Sequence, residues 1–116
     1  MRLIGNTQLW GMIEPVWYAL GVVDGVHGTM FGHGAMITAG WAKRWGTDTL
    51  HRHGRAFDVR SRHLNENDRV EFIEALRKAL EPRGFDVLPE DDHIHVEYDP
   101  KQGEPLYGIG EESEVT

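Results

Sequence analysis

Two stretches of the chain place apolar residues at helical intervals. Val70, Ile73, Leu76 and Leu80 follow one another at steps of three and four, behind Asn65 as a cap and Glu66 and Asp68 in a first turn. This pattern predicts a helix from Asn65 to near Leu80, ended by Pro82 and Gly84. Earlier, Trp10, Ile13, Trp17 and Leu20 share one helical face, which predicts a helix over about residues 10–23. Pro15 belongs in a first turn, so that helix starts as late as Glu14. Residues 24–34 are rich in Gly and His without a period and read as a loop, and residues 1–8 read as an irregular lead-in.

Elsewhere the period is two. Arg55 to Arg60 alternates, with Phe57 and Val59 on one face and Ala56, Asp58 and Arg60 on the other. Phe85 to Leu88 and His93 to Tyr98 are strand-like runs on either side of the acidic turn Pro89-Glu90-Asp91-Asp92, which predicts a hairpin. In its second strand Ile94, Val96 and Tyr98 face one way, and His93, His95 and Glu97 the other. Ala35 to Gly40 adds a short strand, followed by a long Trp-containing loop from Trp41 to Leu50. The expected fold is α+β, a small and mostly antiparallel sheet backed by two helices. Residues 1–100 are expected to form the single domain, and 101–116 a Gly-rich, acidic tail that is mobile or strapped along the surface.

The 116 residues suffice for one core. Twelve Lys and Arg against nineteen Asp and Glu leave a net charge of −7, the wrong sign for a partner bound through phosphates, so no nucleic acid is expected. With no cysteine, thiolate metal sites and cysteine nucleophiles are excluded. No apolar run is long enough to insert in a membrane, and the N-terminus lacks the charged and apolar regions of a signal peptide.

Seven histidines are an unusual load, and five lie between His51 and His95. A neutral imidazole and a carboxylate are the ligands zinc accepts without thiolates, and a catalytic site takes three while leaving a position for solvent. His51, Asp58 and His95 meet that count, for one zinc per chain. Asp92, three residues before His95, is the preferred general base, needing only modest desolvation, and His93 shares the strand face and assists. Glu97 is either a partner orienting an imidazole or a solvated strand charge.

His51, Gly54, Ala56 and Asp58, in the order H-x-x-G-x-A-x-D, followed by Asp92 and His95 as D-x-x-H, resemble the zinc D,D- and L,D-peptidase superfamily. Its members include D-alanyl-D-alanine carboxypeptidases and phage endolysins that cut between L-alanine and D-glutamate, and they share the fold of the Hedgehog signalling domain. The resemblance spans roughly residues 35–100. It implies His51, Asp58 and His95 as zinc ligands, Asp92 as base and His93 assisting, in a peptidase that hydrolyses amides of peptidoglycan stem peptides. It also implies synthesis in the cytoplasm and action on the cell wall after phage-type release or delivery with a virion. Two departures stand out: Thr49 occupies a position often held by Ser, and the stretch carrying the family's substrate-binding Arg corresponds to Thr38-Ala39-Gly40-Trp41, which leaves Arg44 as the expected anchor. The alternative is a zinc-stabilised binding or virion structural protein of the same fold that no longer cleaves.

Some residues carry blander readings. His53 and His63 are expected to be structural or exposed, His27 and His33 to stand in a loop that could cover the site, and Trp41 and Trp45 to wall the cleft or pack on the first helix. Arg55 and Arg60 are expected to pair with acidic neighbours on the sheet.

Overall fold

A computed structural model describes residues 1–5, 7–9, 11–40 and 54–100. The expected zinc ligand His51, the expected anchor Arg44, His53, Trp41, Trp45 and the 101–116 tail lie outside the described residues. The fold is α+β, with a five-stranded mixed sheet and two helices. Its elements are β1 (Arg2–Leu3), α1 (Glu14–Phe31), β2 (Met36–Ala39), β3 (Ala56–Arg60), α2 (Glu66–Leu80), a 3₁₀ turn (Glu81–Arg83), β4 (Phe85–Pro89) and β5 (His93–Tyr98).

The strand order is β1-β2-β3-β5-β4. The β4–β5 hairpin inserts β5 beside β3, and every pairing is antiparallel except β1 with β2. Alternation then separates the two faces of the sheet. Ile37, Phe57, Val59, Val87, Ile94 and Val96 are buried against the helices, whereas Asp58, His93, His95 and Glu97 stand on the other face.

The second helix spans Glu66–Leu80 behind the Asn65 cap, as its sequence predicts, but Val70 of the expected apolar stripe is exposed and Phe72 is buried in addition to the rest. The Asn65 side chain accepts a hydrogen bond from the Asp68 amide at 2.8 Å, a cap that contributes about 1 kcal/mol. Phe72, Ile73, Leu76 and Leu80 are buried, each stabilising the fold by roughly 1.5–3 kcal/mol relative to exposure.

The first helix starts at Glu14, the later of the two expected starts, but departs from expectation by running on to Phe31 through the residues that read as a loop and by leaving Trp17 of the expected face exposed. Its buried positions Val16, Ala19, Leu20, Val23 and His27 form a continuous stripe at steps of three and four. That stripe is hard to see in the sequence because its last member is a histidine and because Gly21, Gly25 and Gly28 dilute it. Burial of the stripe outweighs the poor helix propensity of those glycines. The helix stops at Gly32, whose φ of 85° places it in the left-handed region while its amide donates to the Gly28 carbonyl. The lead-in also differs from expectation: Arg2 and Leu3 add a short parallel strand opposite Met36 and Ile37.

His27 is fully buried on the helix side of the sheet, so it is a core residue and does not cover the candidate site. Its Nδ1 donates to the His33 carbonyl at 2.7 Å, and its Nε2 meets Nε2 of His63 at 3.0 Å. Burial pushes the His27 ring below the ordinary imidazole range, and desolvation also lowers His63, whose ring edge meets it. Both rings bind protons less readily in the folded chain than in the unfolded one. The stability they allow is full above the ordinary value of 6.5 and is lost as the pH falls below it. With His95, whose proton uptake acts in the opposite direction, replaced by alanine, a urea midpoint at about pH 5 is expected to lie below that at about pH 7.5, and equal midpoints would contradict this.

Candidate functional site

The open face of the sheet carries the cluster. Antiparallel pairing sets Asp58 directly opposite His95 and Arg60 opposite His93, while Ala56 faces Glu97. Two side chains separated by 37 positions are thereby placed on neighbouring rigid strands. His95 Nδ1 lies 2.8 Å from Asp58 Oδ1, and His95 Nε2 lies 2.8 Å from Glu97 Oε1. Asp58 is buried, with 8% of its surface exposed, and His95 and Glu97 are half-buried. Burial works against a charged His95 ring, but the hydrogen bonds with Asp58 and Glu97 outweigh it, so this imidazole holds its proton above its ordinary value.

His93 stands beside this pair, its Nε2 3.7 Å from Asp58 Oδ2. Its Nδ1 donates to Asp92 Oδ1 at 2.8 Å. The expectation that desolvation prepares Asp92 as a base is not met. Its carboxyl is exposed, and the hydrogen bond from His93 lowers its pKa below the ordinary value. Asp92 is an ionised acceptor that holds the His93 ring with Nδ1 protonated and Nε2 towards Asp58. The turn carrying Asp92 is itself pinned: the Ser61 amide donates to the Asp92 carbonyl at 3.1 Å, and Arg69 donates to both the Glu90 carbonyl and the Ser61 hydroxyl.

A cleft of about 360 Å³ opens beside His93, lined by Thr38, Arg60, Arg62, Asp92 and His93. Its two guanidinium groups give it a positive wall. Arg60 contacts Met36 Sδ at 3.8 Å, and Arg55 donates to the Tyr98 carbonyl at 3.1 Å and packs over that ring, so the hydrogen bonds formed by these arginines are not the carboxylate pairs expected from the sequence.

The donor chemistry fits zinc as far as the described residues reach. Asp58 and His95 bring one carboxylate oxygen and one imidazole nitrogen into contact at low exposure, a nitrogen and oxygen set suited to that ion. Asp58 Oδ1 and His95 Nδ1 would hold the metal, with Glu97 on the opposite ring nitrogen in the outer position that fixes a ligand's tautomer. The role of Glu97 was readable only as one of two options in the sequence, since its spacing of two from His95 fits either.

Sequence reasoning did not find the acidic group made by Asp86, Glu97 and Asp99, whose oxygens lie within 4.8 Å of one another. An oxygen-only set suits hard cations rather than zinc, and exposed carboxylates commonly gather without an ion. No family model, curated protein or solved structure matches the chain. No helix among the described residues is long and apolar enough to cross a membrane.

Proposed function

We propose that the chain is a zinc-dependent peptidase that hydrolyses amide bonds in peptidoglycan stem peptides, of the D,D-carboxypeptidase or L-alanyl-D-glutamate endopeptidase type. The observation that carries this reading is the placement of the Asp92–His93 pair beside the contact between Asp58 and His95 on one half-buried face. Asp58 and His95, with His51 from the segment before β3, are the proposed zinc ligands. Zinc, when bound, supplies a Lewis acid for the scissile carbonyl and lowers the pKa of water.

The chain's own residues supply the proton transfers. His93 Nε2 takes a proton from the attacking water, and Asp92 holds the ring in the required tautomer. The new C–O bond forms at the carbonyl carbon as the C–N bond breaks. The proton held at Nε2 passes to the leaving nitrogen, giving an amine and a carboxylic acid that releases its remaining proton to solvent to become the carboxylate. Arg60 and Arg62 give the cleft a charge complementary to the carboxylates of a stem peptide, and Arg44 is a further proposed anchor. Action on the cell wall after phage-type release or virion delivery belongs to the same proposal.

Zinc-loaded protein incubated with purified sacculi is expected to release new amino termini, and mass spectrometry of a defined muropeptide digest reads which bond is cut. His93→Ala should lose about 10²–10⁴-fold in rate. Asp92→Asn, which keeps the ring but weakens its orientation, should lose about 10–100-fold. Absence of new amines with the unmodified chain rejects the peptidase reading. An Asp92→Asn loss larger than that of His93→Ala would return the base role to Asp92.

A further inference from the structure

We infer that a second transition-metal site, independent of the strand-face cluster, is built where α1, the turn after it and the segment between β3 and α2 meet, with His27 and His63 as ligands and His33 completing the set. The three side chains come from separate parts of the chain; the nitrogens of His27 and His63 already meet, while His33 stands nearby and must turn its ring to join them, the His27 ring lying 4.8 Å from that of His33 and 5.2 Å from that of His63. The His33 and His63 rings are 6.0 Å apart.

The ligand capacity follows from the hydrogen bonds. A carbonyl oxygen can only accept, so the 2.7 Å contact with the His33 carbonyl assigns the His27 proton to Nδ1. In the neutral ring Nε2 then carries a lone pair, the state a metal-bound histidine needs, with its opposite nitrogen held by a backbone carbonyl. That lone pair points at His63 Nε2, 3.0 Å away. Two nitrogens on one tetrahedral zinc are separated by about 3.3 Å, given metal–nitrogen lengths of about 2.0–2.1 Å. A spread of a few tenths of an ångström therefore admits the ion, with the His63 proton moving from Nε2 to Nδ1.

His27 cannot move away from this geometry, because it is fully buried and packed edge-on against Phe31 at 4.8 Å and Phe72 at 5.3 Å. His63 and His33 are exposed, which gives an ion a path to the buried nitrogen. His33 uses Nδ1 only on the neighbouring Gly34 carbonyl, an exposed contact at 3.1 Å, so its ring can rotate towards the other two. Imidazoles alone select borderline divalent ions such as zinc, nickel and copper over calcium or magnesium.

The test is zinc stoichiometry of the full chain after equilibrium dialysis, measured by elemental analysis. If both sites exist, the unmodified chain holds two equivalents, and His63→Ala and His95→Ala each hold one. If only the histidine cluster binds, the unmodified chain and His95→Ala hold one equivalent and His63→Ala none, so this inference stands while the strand-face zinc fails. A His63→Ala chain that keeps every equivalent held by the unmodified chain overturns the inference, as does an unmodified chain that binds none. His63 and His33 are exposed, so these variants test ligation without removing a core side chain. His33→Ala is expected to weaken binding of the same equivalent, and unchanged affinity overturns the three-histidine assignment. Nitrogen hyperfine splitting from copper bound to His95→Ala provides an independent readout of imidazole ligation.

Discussion

His95→Ala is expected to lose the one equivalent of zinc proposed for the strand face, and to lower the proposed hydrolysis of stem peptides by more than the ~100-fold that loss of an outer partner costs. The expectation follows from how much converges on that ring. One nitrogen meets the buried carboxylate of Asp58, the other meets Glu97, and the ring sits on a central strand that cannot shift without breaking its pairing with β3 and β4. Alanine removes the only imidazole that touches Asp58 Oδ1 among the described residues. Metal content and rate should therefore fall together while circular dichroism reports an intact fold. The same geometry predicts the pH dependence. Because the ring holds its proton above the ordinary value, zinc must displace that proton, so apparent affinity rises with pH through the neutral range. Full zinc retention in His95→Ala, or an affinity that falls as the pH rises, would remove His95 from the ligand set.

Gly54→Ala is expected to lower folding stability by about 2–4 kcal/mol and the melting midpoint by roughly 10–15 °C. Gly54 has a φ of 72°, in the left-handed region that costs other residues about 1–2 kcal/mol. A methyl group there would lie 1.8 Å from the Gly11 carbonyl oxygen and 2.8 Å from its carbon, an overlap that backbone must yield to relieve. The neighbouring contact cannot absorb the shift, because the Ile13 amide donates to the Gly54 carbonyl at 3.1 Å and α1 begins one residue later. Thermal melts monitored by circular dichroism check this, and an unchanged midpoint would contradict it. The glycine and alanine of the H-x-x-G-x-A-x-D pattern thus serve packing: Gly54 admits the backbone ahead of α1, and Ala56 is fully buried next to Asp58 in sequence.

How much of the site could be read in the sequence depended on the range of the interaction. The alternation of β5 already separated Ile94, Val96 and Tyr98 from His93, His95 and Glu97, because side-chain direction along a strand is a local property. The state of Asp92 was not legible. A carboxyl at the mouth of a strand looks like a base in sequence, yet its exposure and its bond to His93 depend on where Ser61 and Arg69 hold the turn. The cleft lined by Arg60 and Arg62 was also hidden, since it requires β2 to bring Thr38 alongside β3.

Local periodicity and capping by themselves determined α2, the hairpin of β4 and β5, and the inward and outward faces of β3 and β5, because each depends on residues within a turn or two of one another. Tertiary packing alone decided that β5 lies between β3 and β4, that Asp58 meets His95, and that α1 continues past three glycines to bury His27 against Phe72. Such choices rest on apolar area buried between distant segments, which outweighs local preference and, in α1, the dilution of the helical stripe by glycines and a histidine.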